Sequence, residues 1–142
     1  MKQANPKELT MPFIRITLGR AASPAQKQAI AHQATALIAE LLHKRAEVTA
    51  VHVDSTPAET WCIAGEPVAA ALTPTHSDIY ITAGTNTAAE KAAMIAALHR
   101  LLGETLGAVP AASYIVIHEI AASDWGYAGL TQAARRQAAS VL

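Results

Sequence analysis

Aromatic side chains are scarce in this sequence: they make up 4% of its 142 residues, whereas hydrophobic residues of all kinds make up 51%. The interior must therefore consist mainly of alanine, leucine, isoleucine and valine, which suits close packing of helices on a sheet. A chain of this length usually forms one domain and can bury roughly 70% of the surface that its unfolded form exposes. The composition predicts a single domain with an aliphatic core.

Cysteine is nearly absent, since Cys62 is the single one. One cysteine excludes an internal disulfide and a multi-cysteine zinc site, and a free thiol fits a reducing, cytoplasmic setting. The six histidines do not pair at metal-ligand spacing on one helix face. We therefore expect a cytoplasmic protein without a metal ion or an organic cofactor.

An excess of charge and long apolar runs are missing as well. Eleven basic and eleven acidic side chains cancel, and no basic stripe is visible, which argues against nucleic acid and anionic membranes as partners. No apolar run reaches the roughly 20 residues that a membrane-spanning helix needs. Residues 1–10 are polar and lack the apolar stretch of a signal peptide.

What the sequence does contain is an internal duplication. Residues 14–19 (IRITLG) return as residues 79–84 (IYITAG), and residues 61–65 (WCIAG) return as residues 125–129 (WGYAG). A long stretch rich in alanine and leucine separates the two signatures in both copies. A duplicated unit indicates the architecture before any residue is examined for chemistry.

Each copy has the pattern of a strand, a long helix, a second strand and a short glycine-containing segment. In the first copy, Ile14, Ile16 and Leu18 alternate as on a half-buried strand, and Ser23 followed by Pro24 is typical of a helix start. A strand–helix–strand crossover makes its two strands parallel. Two such units predict an α/β (α+β) fold with a four-stranded mixed sheet and two helices on one face.

These patterns divide the chain into an N-terminal extension and one domain. The extension is residues 1–10, and the domain is residues 11–142, built from repeats at about 11–66 and 77–136. Several polar residues have an ordinary structural interpretation in this arrangement. Lys44 falls on the solvated face of the first helix, and His52 and His118 lie on strands.

One layer of helices leaves the other face of the sheet uncovered. The alternation places Thr17, Val51, Thr82 and Val116 on that face, or their neighbours if the register is off by one residue. A half-apolar sheet face needs a cover, and association of identical copies supplies one. We expect a ring of three subunits with the sheets facing inward, although the periodicity alone also allows a dimer.

The sequence resembles the tautomerase superfamily, the 4-oxalocrotonate tautomerase-like proteins. The matching stretches are residues 11–16 (MPFIRI), Gly19-Arg20 with Gln26-Lys27 beyond it, and residues 124–129 (DWGYAG). Single-unit members of that family are about half as long, and this chain is similar to the members that carry two units. The resemblance covers about residues 11–136 and implies a fold like that of macrophage migration inhibitory factor.

The resemblance also implies roles for individual residues. The catalytic group of the family is an amino-terminal proline that removal of the initiator methionine exposes, and here it matches Pro12, provided that translation begins at Met11. The arginine that closes the first strand matches Arg20. The aromatic residue of the late glycine-containing hairpin matches Trp125, and Trp61 in the first copy.

Two departures from the family pattern bear on the substrate. A second arginine of the simplest members has no match, because its position is Ala50 in one copy and Tyr114 in the other. The second copy has Thr85-Asn86 where the first has its strand-closing arginine. The resemblance therefore implies a proline–arginine pair in at most one copy, and a dicarboxylate substrate is disfavoured.

The chemistry follows from an uncharged secondary amine. A free α-amino group titrates near pH 7.7–8.0, roughly, and an apolar pocket with a nearby cation lowers its pKa. Such an amine can take a proton from a carbon next to a carbonyl group, and Arg20 would then stabilise the enolate or hold a carboxylate. We expect a cofactor-independent isomerase for a small 2-oxo or enol carboxylic acid, with Pro12 as base and Arg20 as its partner. The candidate substrate-binding residues are Trp125, Tyr114, Tyr80 and Tyr127.

Three alternatives stay open. If Met1 begins the mature chain, Pro12 lies inside an amide bond, and the protein is a non-catalytic trimeric binding or structural relative. A ferredoxin-like regulatory module is a further possibility, with its ligand site between subunits. Decarboxylation of a 3-oxo acid or water addition to an unsaturated acid would instead use a protonated proline.

Overall fold

The computed structural model describes residues 11–141, so the predicted extension, residues 1–10, lies outside the described residues. The main elements, in chain order, are β1 (Phe13–Leu18), α1 (Pro24–Leu41), β2 (Ala50–Ser55), β3 (Cys62–Ile63), β4 (Glu66–Pro67), β5 (Thr75–Thr82), α2 (Ala88–Leu106), β6 (Tyr114–Ile120), β7 (Gly126–Tyr127), β8 (Leu130–Thr131) and α3 (Gln132–Val141). Short 3₁₀ turns at Ala46–Val48 and Ala58–Thr60 flank β2.

The main sheet has the strand order β2-β1-β5-β6. Strands β1 and β2 are parallel, β5 and β6 are parallel, and β1 and β5 run antiparallel between the two pairs. Each parallel pair belongs to one sequence repeat, as the strand–helix–strand pattern predicts. The expected four-stranded mixed sheet with the two long helices is confirmed.

Local sequence signals fix both ends of the long helices. The Ser23 hydroxyl accepts a bond from Gln26 N at 3.1 Å, and the Gln26 side chain accepts one from Ser23 N. Thr87 and Glu90 form the same reciprocal capping box on α2. Gly107, with φ of +85°, follows the last residue of α2, where a left-handed backbone favours glycine.

The core lies between the sheet and the two helices. Its strand residues come from β1 and β5, which supply Ile14, Ile16, Leu18, Ile79 and Ile81, all fully buried. Helices α1 and α2 contribute the facing side chains Ile30, Ala34, Ile38, Met94, Leu98 and Leu102. Burying each large aliphatic side chain stabilises the fold by about 1.5–3 kcal/mol before entropy is counted.

No helix of residues 11–141 covers the opposite sheet face, which is more polar than the sequence suggests. Thr17, Thr82 and Val116 have the predicted orientation along their strands, but Val51 packs against the core, so its assignment to the open face is wrong. His52 takes that face instead, in register with Arg15. Val51 and Val53 alternate with His52 and Asp54, so the sequence itself favours the core face for both valines.

Two further features complete the architecture. The final segment, for which the sequence allowed either a helix or a tail, is helical from Gln132 to Val141. Strand β5 begins at Thr75, earlier than the repeat at Ile79 indicates. Within the described residues, no helix combines the length and the apolar character needed to cross a membrane.

Candidate active site

The antiparallel arrangement of the repeats gives the sheet two distinct ends. At one end β1 and β2 begin while β5 and β6 finish, and Pro12 precedes β1 there. We call this the proline end. At the other end β1 and β2 finish while β5 and β6 begin, and Arg20 follows β1 there. We call this the arginine end.

Pro12 is buried at the proline end, directly before the first strand. The preceding Met11 is also buried, with 6% of its surface exposed. In this chain the nitrogen of Pro12 is bonded to the carbonyl carbon of Met11, so it is an amide nitrogen. An amide nitrogen delocalises its electron pair and is no base near neutral pH.

A buried lysine lies at the same end. Lys44 is 4% exposed, and its Nζ donates a hydrogen bond of 2.8 Å to the hydroxyl of Thr85. That hydroxyl in turn donates to the carbonyl oxygen of Thr82 at 2.7 Å, so the lysine is connected to the last residue of β5. Thr85 occupies the position that corresponds to Arg20 in the other repeat. The proline end thus has a cation although its own repeat position lacks an arginine.

The turn after α1 explains why Lys44 points inward. His43 has a φ of +58°, an uncommon value for a residue other than glycine, and reverses the chain at the end of the helix. The backbone N–H of Lys44 donates to Ile38 O at 3.4 Å within this turn. The sequence prediction of Lys44 as a solvated helix residue is therefore wrong. A single left-handed residue, which the apolar periodicity does not reveal, moves it off the helix surface.

Trp125 and Tyr127 also lie at the proline end, in the hairpin of β7 and β8. The indole N–H of Trp125 donates to the Thr82 hydroxyl at 3.1 Å. The Arg135 guanidinium lies 3.8 Å from the centre of the Tyr127 ring and donates to Tyr127 O at 2.8 Å. A cleft of about 320 Å³ runs beside this hairpin and is lined in part by Trp125 and Leu130. The hairpin is thus anchored to β5 on one side and to α3 on the other.

Tyr80 lies on the open sheet face near the proline end. It is opposite Phe13 on β1 and opposite His118 on β6. Its ring stacks on both neighbours, with centroids 5.9 Å from Phe13 and 4.5 Å from His118. Stacking across three strands holds the ring of Tyr80 in place, so it could line a pocket as a fixed surface.

Arg20 and Tyr114 lie at the arginine end and not beside Pro12. The five residue steps of β1 alone span about 17 Å, because a strand rises about 3.3 Å per residue. Arg20 donates from its guanidinium to Ala70 O at 3.4 Å. Tyr114 begins β6 and is 66% exposed. Within one chain the structure therefore does not bring the predicted catalytic pair of Pro12 and Arg20 together.

A cluster that sequence reasoning did not identify lies on the open face. Asp78 is within 2.7 Å of His118 Nε2 and 3.3 Å of His76 Nε2. Burial alone would favour the neutral acid, but the two histidines outweigh it and hold the pKa of Asp78 below its ordinary value. The two histidines are 42 positions apart in sequence, so only the pairing of β5 with β6 shows their proximity. In the described part of the chain, no three His, Cys, Asp or Glu side chains form a group that could hold a metal ion.

Comparisons with known proteins identify the family of this chain. The family model described as "Tautomerase enzyme" matches residues 12–71 and 77–135. The "Probable tautomerase K2" of Dickeya dadantii (strain 3937) is 40% identical over 63 residues, which are 44% of this chain and 94% of that protein.

Solved structures with the same fold include fused 4-OT proteins and proteins named for macrophage migration inhibitory factor. A fused 4-OT wild-type asymmetric trimer is 24% identical, with a TM-score of 0.76, and the match covers 87% of this chain and 98% of that chain. The macrophage migration inhibitory factor-like protein from Entamoeba histolytica is 21% identical, with a TM-score of 0.71, over 84% of this chain and 97% of that chain. Because the family model matches both repeats over most of the sequence, the chain belongs to the tautomerase family as a fused, two-unit member.

Proposed function

We propose that this protein is a cofactor-independent isomerase that moves a proton between carbon and oxygen, or across three atoms, on a small 2-oxo or enol carboxylic acid. Pro12 is its base. In the active chain, translation begins at Met11 and removal of that methionine makes Pro12 the first residue. The observation that supports this best is the placement of a buried lysine, Lys44, at the same end of the sheet as Pro12.

Removal of Met11 changes both the chemistry and the space at this end. The nitrogen of Pro12 becomes a secondary amine with an available electron pair. The buried side chain of Met11 leaves as well, and it frees a volume next to that nitrogen. A small acid could then place the carbon next to its carbonyl group against the amine. A positioned base of this kind typically contributes about 10²–10⁴-fold to a rate.

Lys44 supports the reaction in two ways. Its positive charge disfavours protonation of a neighbouring amine, which keeps Pro12 neutral near physiological pH. It also stabilises the negative charge that develops on the enolate oxygen when the proton leaves carbon, or it pairs with the substrate carboxylate. The proton then returns from Pro12 to the other atom of the product, so the amine ends the cycle unchanged. Thr85 holds the ammonium group in place throughout.

The aromatic residues at this end are proposed as the pocket wall. Trp125 is anchored on Thr82, and Tyr127 is held beneath Arg135. Tyr80 contributes from the open face through its stack with Phe13. These contacts keep bulk water away from the enolate, whose charge is stabilised more strongly in a dry site. Tyr114 and Arg20 would reach this pocket only if a neighbouring copy supplied them.

We also propose that the protein is a cytoplasmic homo-oligomer of three copies. The similar fused 4-OT structure is named a trimer. The open sheet face of this chain offers Phe13, Tyr80 and Val116 among polar groups, and no helix of the described chain covers it. Sedimentation would then give three times the mass of one chain, which is 14.9 kDa when all 142 residues are present.

A non-catalytic binding role is the second candidate. The observation that favours it is the buried Met11, which fills the space beside Pro12 and keeps its nitrogen in an amide bond. A chain that retains Met11 would present the pocket wall and Lys44 without a base. It could hold a small acid, but it could not move a proton from carbon.

The two candidates are separated by the rate at which matched chains convert the enol of phenylpyruvate to its keto form. One chain begins at Pro12, and its control begins with a single alanine before Pro12, which restores the amide. We expect the control to be slower by at least about 10²-fold, because only the first chain has a free amine. Equal rates in the two chains would remove the isomerase proposal and leave the binding role.

A further inference from the structure

We infer that the arginine end of the sheet carries a second binding site for a small carboxylate, which holds its ligand without converting it. The ligand class rests on the proposed function, but the site itself rests on a different set of residues. Arg20 is its cation and Trp61 its aromatic wall.

The internal duplication defines what each end should contain. Residue 12 corresponds to residue 77, residue 20 to residue 85, and residue 61 to residue 125. Because β1 and β5 run antiparallel, each end combines the start of one repeat with the strand-closing residue and the hairpin of the other. The proline end has Pro12, Thr85 and Trp125. The arginine end correspondingly has Ser77, Arg20 and Trp61.

Arg20 has guanidinium donors for which residues 11–141 provide no acceptor. Its side chain is half-buried, and its hydrogen bond in the described chain is the long one to Ala70 O, at 3.4 Å. No Asp or Glu of residues 11–141 lies within ion-pair distance of the guanidinium. A guanidinium has five N–H donors in a planar fork that matches a carboxylate. A partly buried cation without a counter-ion favours an anionic ligand.

The surroundings of Arg20 form a fixed frame. The indole N–H of Trp61 donates to the hydroxyl of Thr56, and Thr56 N donates to Leu18 O at 2.8 Å. Val68 N donates to Trp61 O at 3.1 Å. The segment that contains Val68 and Ala70, whose carbonyl oxygen accepts the bond from Arg20, therefore also fixes the backbone of Trp61. Arg20 and Trp61 are therefore both held against the end of β1.

An unsatisfied hydroxyl lies close by in the same frame. Thr73 is fully buried, and its Oγ1 has no hydrogen-bond partner. The next residue, Pro74, accepts a 2.8 Å bond from Gly19 N, which places this segment beside the residue before Arg20. Buried hydroxyls are nearly always paired, so an orphan next to an unused guanidinium is consistent with a missing polar ligand.

This end lacks a residue that could become an N-terminal amine. The residue that corresponds to Pro12 is Ser77, which lies within β5 and has both of its peptide bonds intact. The position that corresponds to Lys44 is occupied by Ala108, whose carbonyl oxygen accepts a bond from Thr73 N. Among the positions that the duplication relates, the proline end has Lys44 and the arginine end has Arg20, but only the proline end has a residue that could become an N-terminal amine. We therefore expect the arginine end to bind its ligand without amine-catalysed turnover.

The two tryptophans of the chain make the ends separately observable, since Trp61 reports the arginine end and Trp125 the proline end. The experiment titrates oxalate, a transparent planar mimic of an enolised 2-oxo acid, into full-length W125F and W61F and follows the remaining fluorescence. Oxamide, its neutral counterpart, is the control ligand. We expect a saturable Trp61 response to oxalate and none to oxamide.

Charge-removing variants then assign each response to one cation. In W125F, the change Arg20→Met should weaken oxalate binding at least tenfold, Arg20→Lys should weaken it less, and Lys44→Met should leave it unchanged. A Trp61 response that survives in R20M, or that oxamide reproduces, would overturn the second site. Loss of the Trp125 response in R20M would also overturn it, because Arg20 would then serve the proline end of a neighbouring copy. No outcome depends on turnover, so failure of the isomerase proposal would leave this result interpretable.

Discussion

At the residue scale, the chemistry depends on how individual side chains depart from their usual roles. Lys44 is buried because His43 adopts a left-handed backbone, and Arg20 lies at the far end of the strand that begins at Pro12. The position of Arg20 could be predicted from the sequence, because a residue that closes a strand must lie a strand length away from the residue that opens it. The burial of Lys44 could not, because apolar periodicity carries no information about a single backbone reversal.

Asp78 provides a residue-scale prediction about pH. Its pKa is lowered in the folded chain, so its stabilising effect is present above the unfolded value of about 3.9 and is lost as the pH falls through the folded value. We expect Asp78→Asn to lower the free energy of unfolding by roughly 1 kcal/mol at neutral pH. Urea unfolding at neutral pH and below about pH 3 measures this. The same loss at both pH values would contradict the assignment of the effect to the carboxylate.

At the scale of elements, the sequence predicted most of what the structure shows. The alternation of Ile14, Ile16 and Leu18 predicted β1, and Ser23-Pro24 and Gly107 predicted helix ends. Strand phase was wrong at Val51, although its alternation with His52 indicates the core face. Signals with a steric or hydrogen-bonding cause gave the correct element, and a register error of one residue moved Val51 to the wrong face.

The hairpin of β7 and β8 offers an element-scale prediction with a matched control. A Cβ on Gly126 would overlap the carbonyl group of Leu130, whereas a Cβ on Gly103, inside α2, meets nothing within 4 Å. We expect Gly126→Ala to displace the hairpin and change the Trp125 emission, and Gly103→Ala to raise the free energy of unfolding by about 0.5–1 kcal/mol. Thermal unfolding and fluorescence measure both. An unchanged Trp125 spectrum in G126A would show that the hairpin does not hold the tryptophan.

At the scale of the whole molecule, duplication followed by antiparallel packing determines where the sites lie. The sequence showed the two repeats and their family, but it did not show that each end of the sheet mixes residues of both. Pro12 and Arg20 of one chain therefore lie at opposite ends of the sheet, and a site that contains both would need a second copy. The proposed partner of Pro12, Lys44, belongs to the same repeat and reaches the proline end through the turn after α1, where it bonds to the hydroxyl of Thr85.

The most direct test of the central proposal, that a free Pro12 amine at the same end of the sheet as Lys44 is the base, is the pH dependence of kcat/KM for enol ketonisation by the chain that begins at Pro12. The amine must be neutral to accept a proton, so the rate should fall as the pH falls through its pKa. In the proposed site the charge of Lys44 lowers that pKa, so we expect Lys44→Met to move the acidic limb to higher pH and Arg20→Met to leave it in place. An acidic limb that does not move in K44M, or that moves equally in R20M, would contradict the account.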